Sequence, residues 1–333
     1  MSVSSYWESK SPLWTPVKLS TVNKRCGLLW SDLVENAELY GIRLRTMECG
    51  AQLMDFGVHC PGSLEAGRIV TELCQGGLAK ASLSTTMVGN TVLPEITCET
   101  MHPGAGCLDM QMGLPIDNAL LSGPYRLFIE PLRFVVDDIP LTSAKDAMVA
   151  LVEPYQGAPE FSDKDASHLA GNSDPKDLKI MLIPGSSLAG STQVCGRAVE
   201  DVILTIHRSL LVDCSKVLSI IGKSPVCPHY DDTPGTVRLD NDDFLHYVSE
   251  CFLAYYSEEG EDVQKLVDNL VFDSVDLYGQ YWGDIIDSVG GDFFKIPNIT
   301  DINRIGAVTI NDIRTGKTYT AGKKRYDIIK ARL

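Results

Sequence analysis

The chain has none of the runs that would tie it to a bilayer or to nucleic acid. No stretch of about 18 or more apolar residues occurs, so nothing reads as a membrane span. Lys and Arg total 29 against 44 Asp and Glu, a net charge of −15 with pI near 4.8. No basic run interrupts that balance, and such a surface repels a phosphate backbone, which excludes nucleic-acid binding. The opening residues MSVSSYWESK carry no apolar signal segment. The expectation is a cytoplasmic protein with reduced thiols. Ten cysteines are present, but no two are spaced C-x-x-C. The six histidines form neither H-x-x-x-H nor H-E-x-x-H, so no metal site is expected. G-x-G-x-x-G, G-x-x-x-x-G-K-[ST] and G-x-S-x-G are all missing, which leaves nucleotide chemistry and a serine nucleophile elbow without support. No cofactor is expected.

What is present is an ordinary globular composition, 44% hydrophobic and 22% charged, in a chain of 333 residues. That length suggests two lobes. Residues 1–20 read as a polar lead-in, 21–160 as an N-terminal α/β lobe and 161–333 as a C-terminal one, with interleaving possible. Val22–Tyr40 reads as a helix with its stripe at Leu28, Leu29, Leu33, Ala37 and Leu39. Ser63 caps a helix Leu64–Cys74, which Gly76-Gly77 end. Strands are expected within Gly50–Gly57, around Thr91–Thr97, Tyr125–Glu130 and Ala147–Val152, and at Leu178–Ile183 and Val217–Ile221 running into Gly222. The polar stretch Gly157–Pro175 marks the approximate lobe boundary. Asn241–Tyr256 leans to strand on its Phe, Tyr and Val content. Glu261–Leu270 and Gly283–Val289 read as helices. Asp292–Ile296 and Ala307–Ile313 alternate like strands, and Thr315-Gly316 turn into a last one. The class is α/β or mixed α+β.

The stretch GSSLAGSTQVCGRAVE, Gly185–Glu200, is a Gly/Ser loop opening a helix from about Ser191 to Ser209. Residues three and four apart share a helix face, so Gln193, Arg197 and Glu200 point together near its start. An amide, a cation and a carboxylate there suit a charged, nitrogen-rich ligand. A solvated face with an Arg–Glu pair worth a few tenths of a kcal/mol accounts for the same spacing. Cys195 fits a buried small residue better than a thiolate. His102–Leu108 and Ser122–Arg126 hold tight Gly/Pro turns. Arg126 is suited to a bidentate carboxylate or phosphate contact, but on these residues alone two ordinary turns with a surface Arg is the stronger reading.

In order, these segments resemble methenyltetrahydromethanopterin cyclohydrolase. GAQLMDFGVHCPGSLEAGRIVTELCQGGLAKASL (Gly50–Leu83), HPGAGCL (His102–Leu108) and SGPYR (Ser122–Arg126) are similar to family segments. SLAGSTQVCGRAVE (Ser187–Glu200) is the most specific match; DFFKI (Asp292–Ile296) and RTGKTYTAGK (Arg314–Lys323) complete a likeness from about Val22 to Lys323.

The resemblance implies a two-lobed α/β subunit, a homotrimer, with a pterin cleft between the lobes. It implies reversible hydrolysis of methenyl-tetrahydromethanopterin to the 5-formyl compound without metal or nucleotide, in methanogenesis or methylotrophic formaldehyde oxidation. Glu200 then relieves the attacking water of its proton and Arg197 is its electrostatic partner. Gln193, Ser191, Thr192, Ser122, Arg126 and Asn241 fall on the substrate side. Two departures stand out. The family's Asn-Asp-Ala-Ile-x-Tyr-Gly-Gly stretch is TVRLDNDDFLHYVSE (Thr236–Glu250), keeping Asn241, Asp242 and Tyr247 but no glycine. An acid, Asp109, stands where a glycine is usual. A pterin-binding or assembly subunit on the same fold is the competing expectation, and hydrolysis of a related cyclic amidine or folate is a third.

Overall fold

The computed structural model describes residues 16–100, 102–116, 119–129, 134–136, 138–139, 149–154, 161–171, 173–228, 240–292 and 295–330. Its strands are β1 Val17–Lys18, β2 Arg43–Thr46, β3 Gln52–Asp55, β4 Ala79–Val88, β5 Thr91–Thr100, β6 Leu114–Ile116 and β7 Ala119–Ser122. They continue with β8 Val135–Val136, β9 Val149–Pro154, β10 Lys179–Leu182, β11 Val217–Pro225, β12 Glu250–Tyr255, β13 Ala307–Asp312 and β14 Lys317–Gly322. The α-helices are α1 Leu19–Glu35, α2 Leu64–Cys74, α3 Asp163–Ala170, α4 Leu188–Cys195, α5 Ala198–Leu204, α6 Asn241–Val248, α7 Val263–Asp268, α8 Trp282–Ser288 and α9 Tyr326–Lys330. The class is mixed α/β. The chain divides into two compact units, Pro16–Ala81 with Ala105–Val194, and Ser82–Gly104 with Cys195–Leu333.

In the first unit a six-stranded sheet runs β2-β3-β10-β9-β7-β6, with β3, β10 and β9 mutually parallel and the outer pairs antiparallel. Side chains alternate across a strand. The register pair Met54↔Met181 therefore enters one core and its neighbour Leu53↔Ile180 the other. The first core is filled by α1 and α2, the second by α3 and Tyr125. Gly157–Pro175, expected near the lobe boundary, falls between β9 and β10, which are adjacent parallel strands of this one sheet. It is a connection within a sheet.

Helix α1 starts and ends earlier than the expected Val22–Tyr40, and its buried stripe is different. Leu19, Val22, Cys26, Trp30 and Leu33 face the core at helical spacing, while Leu28 and Leu39 are exposed. Ser63 caps α2 as expected, accepting from the Ala66 amide at 3.1 Å. Such a cap contributes about 1 kcal/mol. Tyr125–Phe128 is helical rather than extended: the 3₁₀ turn Pro124–Phe128 begins at Pro124, whose fixed φ suits a first helical position. Glu130 lies outside the described residues.

The second unit carries a sheet ordered β14-β13-β12-β11-β5-β4, in which β12 and β13 are parallel. Strand β4 went unforeseen because its Ala, Ser and Thr residues give little apolar contrast. Strand β11 does not stop at Gly222 but runs through it, pairing that glycine with both Cys98 and Cys251. A Cβ on Gly222 would lie 2.6 Å from Cys251 Sγ and 3.0 Å from Val199 Cγ1. The missing side chain is what lets α5 lie against the sheet.

Asn241–Tyr256 is half helix, half strand: α6, then a bend at Ser249, then β12. Asp240 donates its amide to Asp243 Oδ2 at 3.0 Å, a capping arrangement that outweighs the β-favouring Phe, Tyr and Val. Asp292, Lys295 and Ile296 are not in a strand, and Phe293-Phe294 lie outside the described residues. The final hairpin is as expected. Its turn is knotted by buried Asp312, which accepts from the Ser257 amide at 3.2 Å and hydroxyl at 2.9 Å, and from the Thr315 hydroxyl.

His246 on α6 is buried, stacked on Phe272 with ring centroids 4.0 Å apart. Its Nε2 donates to the Ile302 carbonyl at 2.8 Å, and Nδ1 has no partner among the described residues. Burial lowers the imidazole from 6.5 to about 4. Between those values the unfolded chain binds a proton that the folded chain refuses, so stability falls as pH drops through this window. The loss should reach about 3 kcal/mol. Denaturant titrations at pH 7 and 4.5 should show a steeper loss in the wild type than in His246→Gln; equal slopes would contradict the assignment. Gly222→Ala should lower stability by about 2 kcal/mol, because the added methyl displaces Cys251 or α5. A thermal midpoint equal to wild type would refute that packing account.

Candidate active site

The first unit contains the turn and helix at Gly185–Val194. Ser187 caps α4: its hydroxyl donates to the Pro184 carbonyl at 2.9 Å and accepts from the Gly190 amide at 3.0 Å. Ser191 donates its hydroxyl to the Gly185 carbonyl at 3.3 Å and Thr192 to the Leu188 carbonyl at 2.7 Å. Both residues and Gln193 are buried. These hydroxyls thus brace their own segment and keep lone pairs with which to accept.

Within the second unit Arg197 and Glu200 are brought together, Arg197 Nε lying 3.2 Å from Glu200 Oε2. Their side chains are only 12% and 4% exposed, which rules out the solvated-face alternative. Removing one partner of so buried a pair strands a charge and costs about 3–5 kcal/mol. The expected single helix Ser191–Ser209 is interrupted. It breaks at Gly196–Arg197, where a glycine weakens the helix, resumes as α5, and ends in a π-helical turn Thr205–Ser209. Arg197 consequently stands at the N-cap of α5 (φ −88, ψ 1) and Glu200 in its first turn, where a carboxylate is favoured by the helix dipole.

Asp201 is the group that spacing arguments passed over, although the doublet Glu200-Asp201 stands plainly in the sequence. Burial pushes its carboxyl well above the ordinary range; the charge of Glu200 adds to that, and Arg197 opposes it. Two neighbouring carboxyls thus differ: one is paired with a guanidinium, the other is biased toward its neutral form. Cys195 is buried and its thiol is pushed by burial to about 12, so no thiolate nucleophile is available there at neutral pH.

Arg126, expected near the surface, is fully buried at 0% exposed. It donates Nη1 to the Leu108 carbonyl at 2.9 Å, within the π-helical segment Gly104–Gln111. Ser122 is also buried, at the end of β7, and the next residue, Gly123, donates its amide to the Met110 carbonyl at 2.8 Å. The SGPYR turn therefore folds onto the Leu108–Met110 stretch. Asp109 has a structural partner: Oδ2 accepts the Phe134 and Val135 amides at 2.8 and 3.0 Å. Asp109 thereby fastens β8.

Asn241, buried, opens α6. Tyr247 on the same helix is a strut, its hydroxyl donating to the Gln280 carbonyl at 2.6 Å and accepting the Gly279 amide at 3.1 Å. Residues 236–239 of the divergent stretch lie outside the described residues. Among the described residues no three His, Cys, Asp or Glu side chains are grouped to hold a metal, and no helix is long and apolar enough to cross a membrane.

A family model described as cyclohydrolase (MCH) matches residues 21–332. The methenyltetrahydromethanopterin cyclohydrolase of Methanococcus maripaludis is 30% identical over 312 residues, 91% of this chain and 94% of the relative. That of Methanococcus aeolicus is 31% identical over 320 residues, covering 94% and 98%. That of Methanothermobacter marburgensis is 29% identical over 311 residues, covering 91% and 95%. With the family model matching nearly the whole of this chain, the chain belongs to the methenyltetrahydromethanopterin cyclohydrolase family.

Proposed function

We propose that this chain reversibly hydrolyses methenyl-tetrahydromethanopterin to its 5-formyl form, in one-carbon metabolism of the kind used in methanogenesis. The observation that carries the reading is the buried Arg197–Glu200 pair at 3.2 Å, set at a helix start inside the segment most like the family. The relatives' names supply the substrate.

The substrate carbon is an amidinium carbon and already electrophilic. Water adds to it while Glu200 takes the proton, which a carboxylate of modest basicity can do because the adduct loses the ring's positive charge. Collapse of the tetrahedral adduct breaks one C–N bond: the departing nitrogen takes one of the two water protons back from Glu200, the adduct's hydroxyl releases the other to solvent as it becomes the formyl carbonyl, and the formyl group stays on the other nitrogen. Arg197 orients Glu200, favours its charged form and steadies charge on the attacking oxygen. Burial and the neighbouring Glu200 charge bias Asp201 toward its neutral form, so Glu200 rather than Asp201 is assigned the proton transfer. Gln193 orients the water or a ring edge, and Ser191 and Thr192 accept from ring N–H groups with their spare lone pairs.

Arg126 holds the Gly104–Gln111 segment through the Leu108 carbonyl, and Ser122 and Asn241 bind the substrate. No metal or nucleotide takes part in this scheme. A cleft between lobes, a trimeric assembly and a cytoplasmic location belong to the same proposal and rest on the resemblance.

The glycine-free α6 stretch favours one competing reading, a subunit that binds the pterin without turning it over. Loss of methenyl-pterin absorbance on adding protein decides between them. Methenyl-tetrahydromethanopterin should be consumed and methenyl-tetrahydrofolate spared; no loss with either would leave the binding subunit. Consumption of the folate alone would reassign the substrate. Glu200→Gln should lose hydration by on the order of 10²-fold or more while still binding the pterin. Unchanged turnover would remove Glu200 from the mechanism. Arg197→Ala should lose activity as well, and full activity there would refute its role.

A further inference from the structure

The parallel strands β3 and β10 end side by side, and the chain leaves β10 for α4, which carries Gln193. In parallel sheets ligand sites collect at the carboxyl ends of the strands, where loops from neighbouring strands meet. Here the second loop is the one after β3, and it is held by a device no part of the mechanism has used.

Asp55 closes β3 and is buried. Its Oδ1 accepts the amides of Gly57 and Val58 at 2.9 and 2.7 Å, and its Oδ2 the amide of His59 at 2.8 Å. One carboxylate thus gathers three successive N–H groups and fixes the turn, with bonds strengthened by its charge. Gly57 adopts φ +148, and a Cβ there would lie 2.2 Å from Ser187 Cβ. The pinned turn consequently presses against Ser187, the residue that caps α4 through the Gly190 amide. A continuous line of contact runs from Asp55 to Gly57 to Ser187 to the first turn of α4.

We propose that Asp55 is a positioning residue for the hydrolysis, setting the first turn of α4 and hence Gln193 through the Gly57–Ser187 contact. The assignment rests on the functional reading above. Displacing a reacting constellation by about 1 Å costs on the order of 10²-fold in rate. Asparagine at 55 would turn an amide donor toward one of the backbone N–H groups and remove the charge. Alanine at 57 leaves the carboxylate in place but forces Ser187 aside.

The test measures kcat, KM and thermal midpoint for wild type, Asp55→Asn, Gly57→Ala and Thr315→Ala, assayed at least ten degrees below the lowest midpoint. Thr315→Ala removes a hydroxyl from the Asp312 turn in the other unit and serves as the stability control. Asp55→Asn and Gly57→Ala should each lose about 10- to 100-fold in kcat, with KM within about threefold of wild type. The control should lose stability and keep its kcat. Should Asp55→Asn fail to fold, Gly57→Ala decides alone. Retained kcat in the folded variants overturns the positioning role while wild-type turnover leaves the functional reading standing. Absent wild-type turnover overturns both.

Discussion

The parallel pairing of β3 with β10 is the constraint on which the first unit depends. Its register decides which side chains enter which core: Met54 and Met181 go toward α1 and α2, Leu53 and Ile180 toward α3. A slip of one residue would send every one of these side chains to the opposite face. The same pairing brings two loops together at the carboxyl ends of the strands, so one set of backbone hydrogen bonds serves both the packing and the placement of α4.

Polar groups in this protein are mostly spent on holding backbone. Asp55, Asp109 and Asp312 each take two or more donors from nearby chain, at the β3 turn, at β8 and at the last hairpin. Arg126 donates to a carbonyl, and the hydroxyls of Ser191 and Thr192 do likewise. In the Arg197–Glu200 pair two side chains of opposite charge face each other at 12% and 4% exposure, the more buried counterpart of pairs such as Arg304–Asp301.

The elements legible in the sequence were those whose signals were local. Ser63 before an apolar run, Gly76-Gly77 after it, and the Thr315-Gly316 turn each act within a few residues, and each is where the pattern put it. Misreadings came from apolar residues that face solvent, such as Leu28 and Leu39 around α1, and from β-rich composition overruled by a cap, as at Asp240–Asp243. The spacing of Gln193, Arg197 and Glu200 predicted a shared helix face, but not the break at Gly196–Arg197 that puts Arg197 at a helix start. Nothing local could reveal that Arg126 is buried, since its partner Leu108 lies in a different sequence segment. Asp109 was visible as a departure; its purpose needed Phe134 and Val135 beside it.

The two compact units are threaded through one another in sequence, with Ser82–Gly104 separated from Cys195–Leu333 by most of the other unit. Strand β5 must wait for β11, its antiparallel neighbour, until the whole stretch between them has been synthesised. Pairing at such range is slow, since loop closure precedes any gain from contact. Neither unit can therefore be obtained by cutting the chain once, and a growing chain carries the β4–β5 hairpin without its partner strand for much of its synthesis. An exposed edge of that kind invites pairing with other chains. Heterologous production should be limited less by the finished fold than by the interval before β11 arrives.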